Sequence, residues 1–154
     1  MMYRLYREQQ LNCTIETAWE FFSSPHNLSQ ITPQSMNFVV LSESSDAISE
    51  GMEIDYTVSP VLGIPMKWKT VISQVEDYKS FTDFQKEGPY KHWNHFHEFI
   101  PNDHGVLMKD TVDYELPMGF LGKIAHQLFV KEKLKNIFDF RYRVLHQRFN
   151  NKHH

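Results

Sequence analysis

After residue 117 the chain carries a helical pattern roughly thirty residues long, and this single element limits the folds that are open to the protein. Its apolar stripe recurs at helical spacing and consists of Val130, Leu134, Ile137, Arg141 and Val144, with Phe138 and Leu145 beside it. One amphipathic helix cannot bury such a stripe alone, because the stripe needs a second layer to cover it. We expect the helix to lie across the concave face of a sheet.

The region from Met36 to about Leu116 has the pattern of strands and turns, with no helical period between them. Strands that follow one another at regular spacing without helices predict an antiparallel meander. The predicted strands lie at 36–41, from 51 to 58, from 66, from near 80, from 92 and from 106 to 114, with turns at 59–63, at Gly88-Pro89 and at 102–105.

The first forty residues predict one strand and two short helices. Residues 3–11 alternate in polarity, which is typical of a strand with one wet face. Thr14 can cap a helix over 15–22, and Ser24-Pro25 can start a second helix that ends at Thr32-Pro33. The fold class is therefore α+β, with one domain over 1–150 and a disordered tail or tag remnant at 151–154.

Composition excludes several classes of protein. A net charge of −3 argues against general nucleic-acid binding, which needs a basic face. One cysteine, Cys13, excludes an intrachain disulfide and fits a reducing compartment. No stretch reaches the ~20 apolar residues of a membrane span, and the charged N-terminus lacks the apolar run of a signal peptide. We expect a cytoplasmic protein.

The segment 80–99 carries the most informative pattern, because aromatic and polar side chains share one strand face. If that face is turned inward, its polar groups must bond to each other, to water or to a ligand, since burying them unpaired is costly. We expect a cavity of a few hundred Å³ under the helix, as is usual for small-molecule sites. The expected walls are Trp68, Phe81, Trp93, Phe99, Met108, Val112 and Tyr114. The expected polar groups are Asp83, Gln85, His95, His97 and Asp110.

Three interpretations of these polar groups stay open. They can satisfy each other, they can orient the polar end of an apolar ligand, or a histidine and an aspartate can exchange protons with the ligand. Two imidazoles and a carboxylate can also bind a metal. No Cys pair or HExxH helix supports a metal, and no phosphate loop or GxSxG elbow is present. We expect neither a metal nor a cofactor.

Four segments carry a resemblance to a known superfamily. They are FFSSPHNLSQITP, GIPMKW, FTDFQKEGPYKHWNHFHEF and DTVDYELPMGFLGKIAHQLFVKEKLKNIFDFRYRVL. Together with the order of elements, they resemble the START/SRPBCC superfamily of helix-grip proteins, and within it a bacterial ligand-binding subgroup related to polyketide cyclases. The resemblance implies a helix-grip fold that encloses a cavity.

Binding or carriage of a small apolar or aromatic metabolite is the function that this resemblance and the residues favour. The alternative is a cyclase- or dehydratase-like enzyme in the same cavity, with His95 or Asp110 as the proton carrier. A third class is an interaction protein, whose surplus of aromatic residues covers a partner or a second copy in a homodimer.

A second apolar set in the helix lies out of phase with the main stripe, and it consists of Leu121, Ile124, Ala125 and Leu128. Either the helix bends between the two sets or its first turns are covered on two sides. We hypothesise that residues 118–129 form one wall of the cavity entrance, opposite Asn27 and Leu28. The alternative is that this set is buried against a partner subunit.

Overall fold

Antiparallel strands form one curved, seven-stranded sheet in the computed structural model, which describes residues 1–41, 47–59 and 63–150. The strands are β1 (Tyr3–Leu11), β2 (Val39–Val40), β3 (Glu53–Val58), β4 (Met66–Glu76), β5 (Ser80–Glu87), β6 (His92–Asn102) and β7 (Gly105–Glu115). Their order across the sheet is β1-β7-β6-β5-β4-β3-β2, so β2 to β7 form the predicted meander and β1 pairs with β7. The predicted turn at 59–63 includes residues 60–62, which lie outside the described residues, as does the predicted tail at 151–154.

Three short helices connect β1 to β2. The first, α1 (Ile15–Phe22), is capped as predicted, because the side chain of Thr14 accepts a hydrogen bond from the backbone N–H of Thr17 at 3.2 Å. Two 3₁₀ helices follow, Pro25–Ile31 and Gln34–Met36.

The predicted strand at 36–41 is wrong over most of its length. Met36 ends the second 3₁₀ helix, and Asn37 then adopts the left-handed conformation with φ 48°. A residue in that conformation cannot continue a strand, because strand backbone requires negative φ. Pairing with β3 is therefore left to Val39 and Val40.

The C-terminal helix runs from Gly119 to Asn150 and changes its winding along the way. It consists of α2 (Gly119–Ala125), a π-helical turn (His126–Val130), α3 (Lys131–Leu145) and a second π-helical turn (His146–Asn150). Each residue advances an α-helix by about 100°, so a wider π turn changes the face that later residues present. The π turn at 126–130 lies where the two apolar sets of the sequence meet, and the earlier set stays largely exposed. Within the described ranges, no helix has an apolar stretch long enough to cross a bilayer.

The concave face of the sheet and the helix share two apolar clusters. One contains Tyr56, Trp68, Trp93, Leu134 and Phe138, and the other contains Trp19, Phe21, Phe99, Met108 and Leu145. Since α3 contributes to both clusters, it lies across the sheet as the sequence predicts. The first half of the helix differs, because Leu121 and Leu128 are 58% and 63% exposed.

Candidate functional site

A cavity of about 850 Å³ lies between the concave face of the sheet, the first 3₁₀ helix and the C-terminal helix. Its walls are mostly apolar, and their aromatic residues include Phe22, Phe38, Tyr56, Trp68, Tyr90, Trp93 and Phe138. Its volume is in the range of sites that enclose a small organic molecule. It is larger than the few hundred Å³ that the sequence led us to expect.

Exposed residues mark the mouth of this cavity. Leu128 and Phe129 from the π turn line the cavity and are largely exposed, as are Glu132 and Lys133 on α3. Leu28 of the first 3₁₀ helix lines it as well. The entrance hypothesis therefore covers too long a segment, because residues 118–127 do not line the cavity. Asn27 does not line it either, since its side chain donates to the carbonyl of Phe21 at 2.9 Å.

Five polar side chains form a cluster on one side of the cavity, which we call the polar corner: Asp83, His95, His97, Asp110 and Arg141. Nε2 of His97 is 2.5 Å from Oδ2 of Asp83, and Nε2 of His95 is 2.7 Å from Oδ1 of Asp110. The Arg141 guanidinium donates to the same oxygen of Asp110 at 3.1 Å. The corner therefore contains two histidine–aspartate pairs, one of which also holds an arginine.

Strand register brings these groups together. Asp83 of β5 lies directly opposite His95 of β6, and His97 of β6 lies directly opposite Asp110 of β7. Because side chains two residues apart share a strand face, both histidines point to the concave side. Their rings stack with centroids 3.6 Å apart, and the His97 ring also stacks on Phe81 at 4.1 Å. The hydrogen bonds run diagonally across the strands. His95 bonds Asp110, which lies opposite His97, and His97 bonds Asp83, which lies opposite His95.

The two carboxylates are held in the charged form. Burial opposes the charge of Asp110, but the Arg141 guanidinium and the two imidazoles outweigh burial and keep its pKa well below the usual range. Burial likewise opposes the charge of Asp83, while His95, His97 and Arg141 together keep its pKa below the usual range. These charges are stable only because cationic or donor groups surround them.

His97 is held in the neutral form. Burial and the neighbouring His95 lower the pKa of His97 to about 4, against the opposing effect of Asp83 and Asp110. Nε2 then carries the proton that is shared with Asp83, because a carboxylate only accepts. Among the described residues, Nδ1 of His97 has no hydrogen-bond partner.

The two pairs differ in their access to the cavity. The Asp83 side chain is 18% exposed and lines the cavity, whereas Asp110 is 2% exposed and does not. In the part of the chain that the structure describes, Oδ2 of Asp83 bonds to His97, while Oδ1 has no partner and is not occluded. Asp83 is therefore the carboxylate that a ligand in the cavity can reach.

Asp83, His95 and His97 also make up a donor set for a metal ion, since one ligand atom from each lies within 4.8 Å of the others. Two imidazoles and a carboxylate suit zinc or iron. In this arrangement Nε2 of His97 is already bonded to Asp83, and Nε2 of His95 to Asp110. Each of these two nitrogens therefore has a carboxylate partner without a metal ion. The absence of a bound metal stays a prediction.

Half of the residues predicted for the site line the cavity: Trp68, Phe81, Asp83, Trp93, His95 and His97. Gln85 does not, because its side chain bonds the backbone of Tyr90 at 2.7 and 3.1 Å. Asp110 does not, because Arg141 covers it.

The other four predicted residues that do not line the cavity are Phe99, Met108, Val112 and Tyr114. Phe99 and Met108 pack in the cluster with α1 and Leu145. Val112 and Tyr114 lie in the cluster with Leu134 and Phe138, and the Tyr114 hydroxyl bonds His126 at 2.7 Å. The expected walls were too extensive, because helices fill part of the concave face.

Arg141 was missed as a site residue. In the sequence it occupies a position of the apolar helical stripe, where it would be read as part of the core. Its position in that stripe indicates a buried arginine. A buried guanidinium needs an anionic partner on the facing sheet, and this requirement points to the site. Arg141 is 6% exposed and also lies over the rings of Phe22 and Phe138, at 5.5 and 5.8 Å.

Comparisons with known proteins identify the fold. The sequence matches no protein-family model and no curated protein. A START superfamily protein from Mycobacterium smegmatis is similar in structure, with a TM-score of 0.68 at 14% identity over 97% of each chain. Major latex-like protein 151 from Panax ginseng has a TM-score of 0.68 at 15% identity, over 96% of this chain and 97% of that one. A protein from Thermus thermophilus has a TM-score of 0.67 at 18% identity, over 96% of both.

These similarities extend over nearly the whole of each chain, and the neighbours include a START superfamily protein by name. The chain therefore has the helix-grip fold of the START/SRPBCC superfamily, as the sequence resemblance implies. At identities of 13–18%, the similarity concerns the fold alone.

Proposed function

We propose that the protein binds or carries a small apolar or aromatic metabolite in its internal cavity. The observation that carries this proposal is the cavity of about 850 Å³, which has mostly apolar walls and the polar corner on one side. A few convergent polar groups in a mostly apolar enclosure are the usual form of a small-molecule site. Helix-grip folds are generally ligand-binding folds, which supports the same function.

The energetics suit an apolar ligand. Each Å² of apolar surface removed from water contributes about 25 cal/mol, so a ligand that buries about 250 Å² gains about 6 kcal/mol before the entropic cost of association. Burying a charged ligand in the same walls would cost several kcal/mol unless a partner compensated the charge. The walls therefore favour neutral ring compounds.

Dye binding tests this function. N-phenyl-1-naphthylamine is a neutral aromatic dye that fluoresces strongly in apolar surroundings, and we expect one molecule to bind per chain. Ile137 lines the cavity from α3 and is half-buried, so Ile137→Trp should occupy part of the space and weaken dye binding at least fivefold.

Arg143→Trp is the matched control, because Arg143 is exposed on the same helix and does not line the cavity. Its dye affinity should equal that of the wild type. Equal binding to all three proteins would place the dye elsewhere and contradict the proposal. Independently of the dye, native mass spectrometry of the purified protein would reveal the mass of any metabolite that stays bound.

The alternative, an enzyme that moves protons on a ligand in the same cavity, is favoured by one observation. Asp83 lies on the cavity wall with Oδ2 bonded to neutral His97 and with Oδ1 unpaired among the described residues, and a carboxylate so placed can act as a general base. A probe is the exchange of the α-protons of 2-tetralone in D₂O, followed by NMR. Wild-type protein that accelerates exchange, with the effect lost in Asp83→Asn, would support an enzyme. Exchange no faster than with free imidazole would reject catalysis for ketones of this kind.

A further inference from the structure

We propose that Asp83 selects ligands that present a hydroxyl or amine hydrogen-bond donor to its free oxygen, and that it disfavours ligands that end in a carboxylate. This inference rests on the proposed function and names the class of ligand for the same cavity. It concerns one atom, Oδ1 of Asp83, and the charges around it.

The first observation concerns the hydrogen bonds of the two carboxylate oxygens of Asp83. Its Oδ2 is bonded to Nε2 of His97, and Oδ1 is left without a partner among the described residues. The side chain keeps 18% of its surface exposed, and it lines the cavity. An ionised carboxylate only accepts hydrogen bonds. A ligand that satisfies Oδ1 must therefore bring an O–H or N–H group.

The second observation is the charge of the polar corner. Two carboxylates, Asp83 and Asp110, face a single permanent cation, Arg141. His97 is neutral at pH 7, since burial lowers its pKa to about 4. Even with a proton on both nitrogens of His95, the corner would carry no net positive charge. A ligand carboxylate placed here would lose its hydration without an unpaired cation to compensate.

Arg141 lines the cavity, but its charge is already paired with a carboxylate. Its Nη2 donates to Asp110 at 3.1 Å and its Nε is occluded, while Nη1 has no hydrogen-bond partner among the described residues. A ligand carboxylate at Nη1 would have to share this one cation with the buried carboxylate of Asp110. Lys133 lines the cavity too, but it is exposed on α3 at the mouth, where water screens its charge.

Three probes with the same ring system separate the possibilities: naphthalene, 2-naphthol and 2-naphthoate, each used at pH 7 to displace N-phenyl-1-naphthylamine. We expect 2-naphthol to bind best, with an affinity at least tenfold above that of 2-naphthoate. Naphthalene should lie between them, because it neither satisfies Oδ1 nor brings a charge.

Asp83→Asn replaces a hydrogen-bond acceptor by a donor at one position of the cavity wall. The carbonyl of the introduced amide can still accept from His97, while its NH₂ group presents a donor to the cavity in place of the free carboxylate oxygen. The ratio of 2-naphthol to 2-naphthoate affinity should fall to threefold or less. Asp103→Asn removes the same charge from the exposed β6–β7 hairpin and should leave the ratio at its wild-type value.

Each outcome has a distinct meaning. If wild-type protein binds 2-naphthoate as tightly as 2-naphthol, the ligand class is wrong while the carriage function stands. If Asp103→Asn lowers the ratio as much as Asp83→Asn does, the preference comes from net charge, and Asp83 is not the selector. If no naphthalene probe displaces the dye, the proposed function fails together with this inference. The wild-type ratio decides the ligand class even if Asp83→Asn does not fold.

Discussion

Two histidine–aspartate pairs lie side by side on the concave face, and they differ in how far the aspartate is exposed to the cavity. Arg141 closes the His95–Asp110 pair, and Asp110 is 2% exposed. The His97–Asp83 pair opens onto the cavity, because Asp83 is 18% exposed and its Oδ1 has no partner among the described residues. The same residue types on neighbouring strands thus have different consequences. We infer that the closed pair stabilises the fold and that the open pair faces the ligand.

The largest effect is expected from Arg141→Met. Methionine fills much of the space but leaves Asp110 buried without its cation, and removing one partner of a buried ion pair costs about 3–5 kcal/mol. Urea unfolding should show this loss in the free energy of unfolding. Arg143→Met, on the exposed side of the same helix, should change it by less than about 0.5 kcal/mol. Equal effects of the two substitutions would remove the distinction between the pairs.

A smaller effect is expected from pH. His97 has a folded-state pKa of about 4, and an unfolded histidine titrates near pH 6.5. As pH falls from 6.5 to 4, the unfolded chain takes up a proton that folded His97 does not. The free energy of unfolding should therefore decrease over this window, by up to about 3 kcal/mol from this residue, and should be level above it.

His97→Gln isolates this contribution. The comparison is needed because burial also lowers the pKa of His126, which acts in the same direction. The variant should lose less stability than the wild type between pH 6.5 and 4, when both are unfolded by urea at a series of pH values. Parallel curves for the two proteins would mean that folded His97 binds its proton as readily as unfolded histidine does.

The smallest effect on stability is expected from Asp83→Asn. The amide retains a hydrogen bond to His97, and Asp83 is the more exposed of the two carboxylates. We expect a loss of about 1 kcal/mol or less, because a hydrogen bond to a neutral acceptor is weaker than one to a charged acceptor by about that amount. Thermal unfolding at pH 7 measures it. A loss as large as that from Arg141→Met would show that the open pair is as structural as the closed one.

The sequence predicts the strand faces well, because alternation has a period of exactly two. The order Trp93, His95, His97, Phe99 places all four on one side of β6, and all four are buried there. The fold follows for the same reason, since strands without helices, followed by one long helix, leave few arrangements. The phase break in the helix is also visible in the sequence, whereas the π turn at 126–130, where the two apolar sets meet, is not.

The extent of the cavity could not be predicted from the alternation. Phe99 and Trp93 share a face of β6, yet only Trp93 lines the cavity, because α1 and the end of α3 cover the other end of the strand. Which end is covered depends on how the helices pack, and the strand pattern carries no information on that. The diagonal pairing of His97 with Asp83 likewise depends on side-chain geometry that the register alone does not fix.

Three tryptophans make it possible to test ligand binding in the cavity directly. Trp68 and Trp93 line the cavity, whereas Trp19 packs against Phe81 and Phe99 on the other cluster and does not line it. Protein labelled with 5-fluorotryptophan should give three ¹⁹F signals, which Trp→Phe variants assign. On titration with 2-naphthol, we predict that the signals of Trp68 and Trp93 shift together and saturate at one ligand per chain, while the Trp19 signal stays in place. A shift confined to Trp19, or no saturable shift at Trp68 and Trp93, would contradict the account.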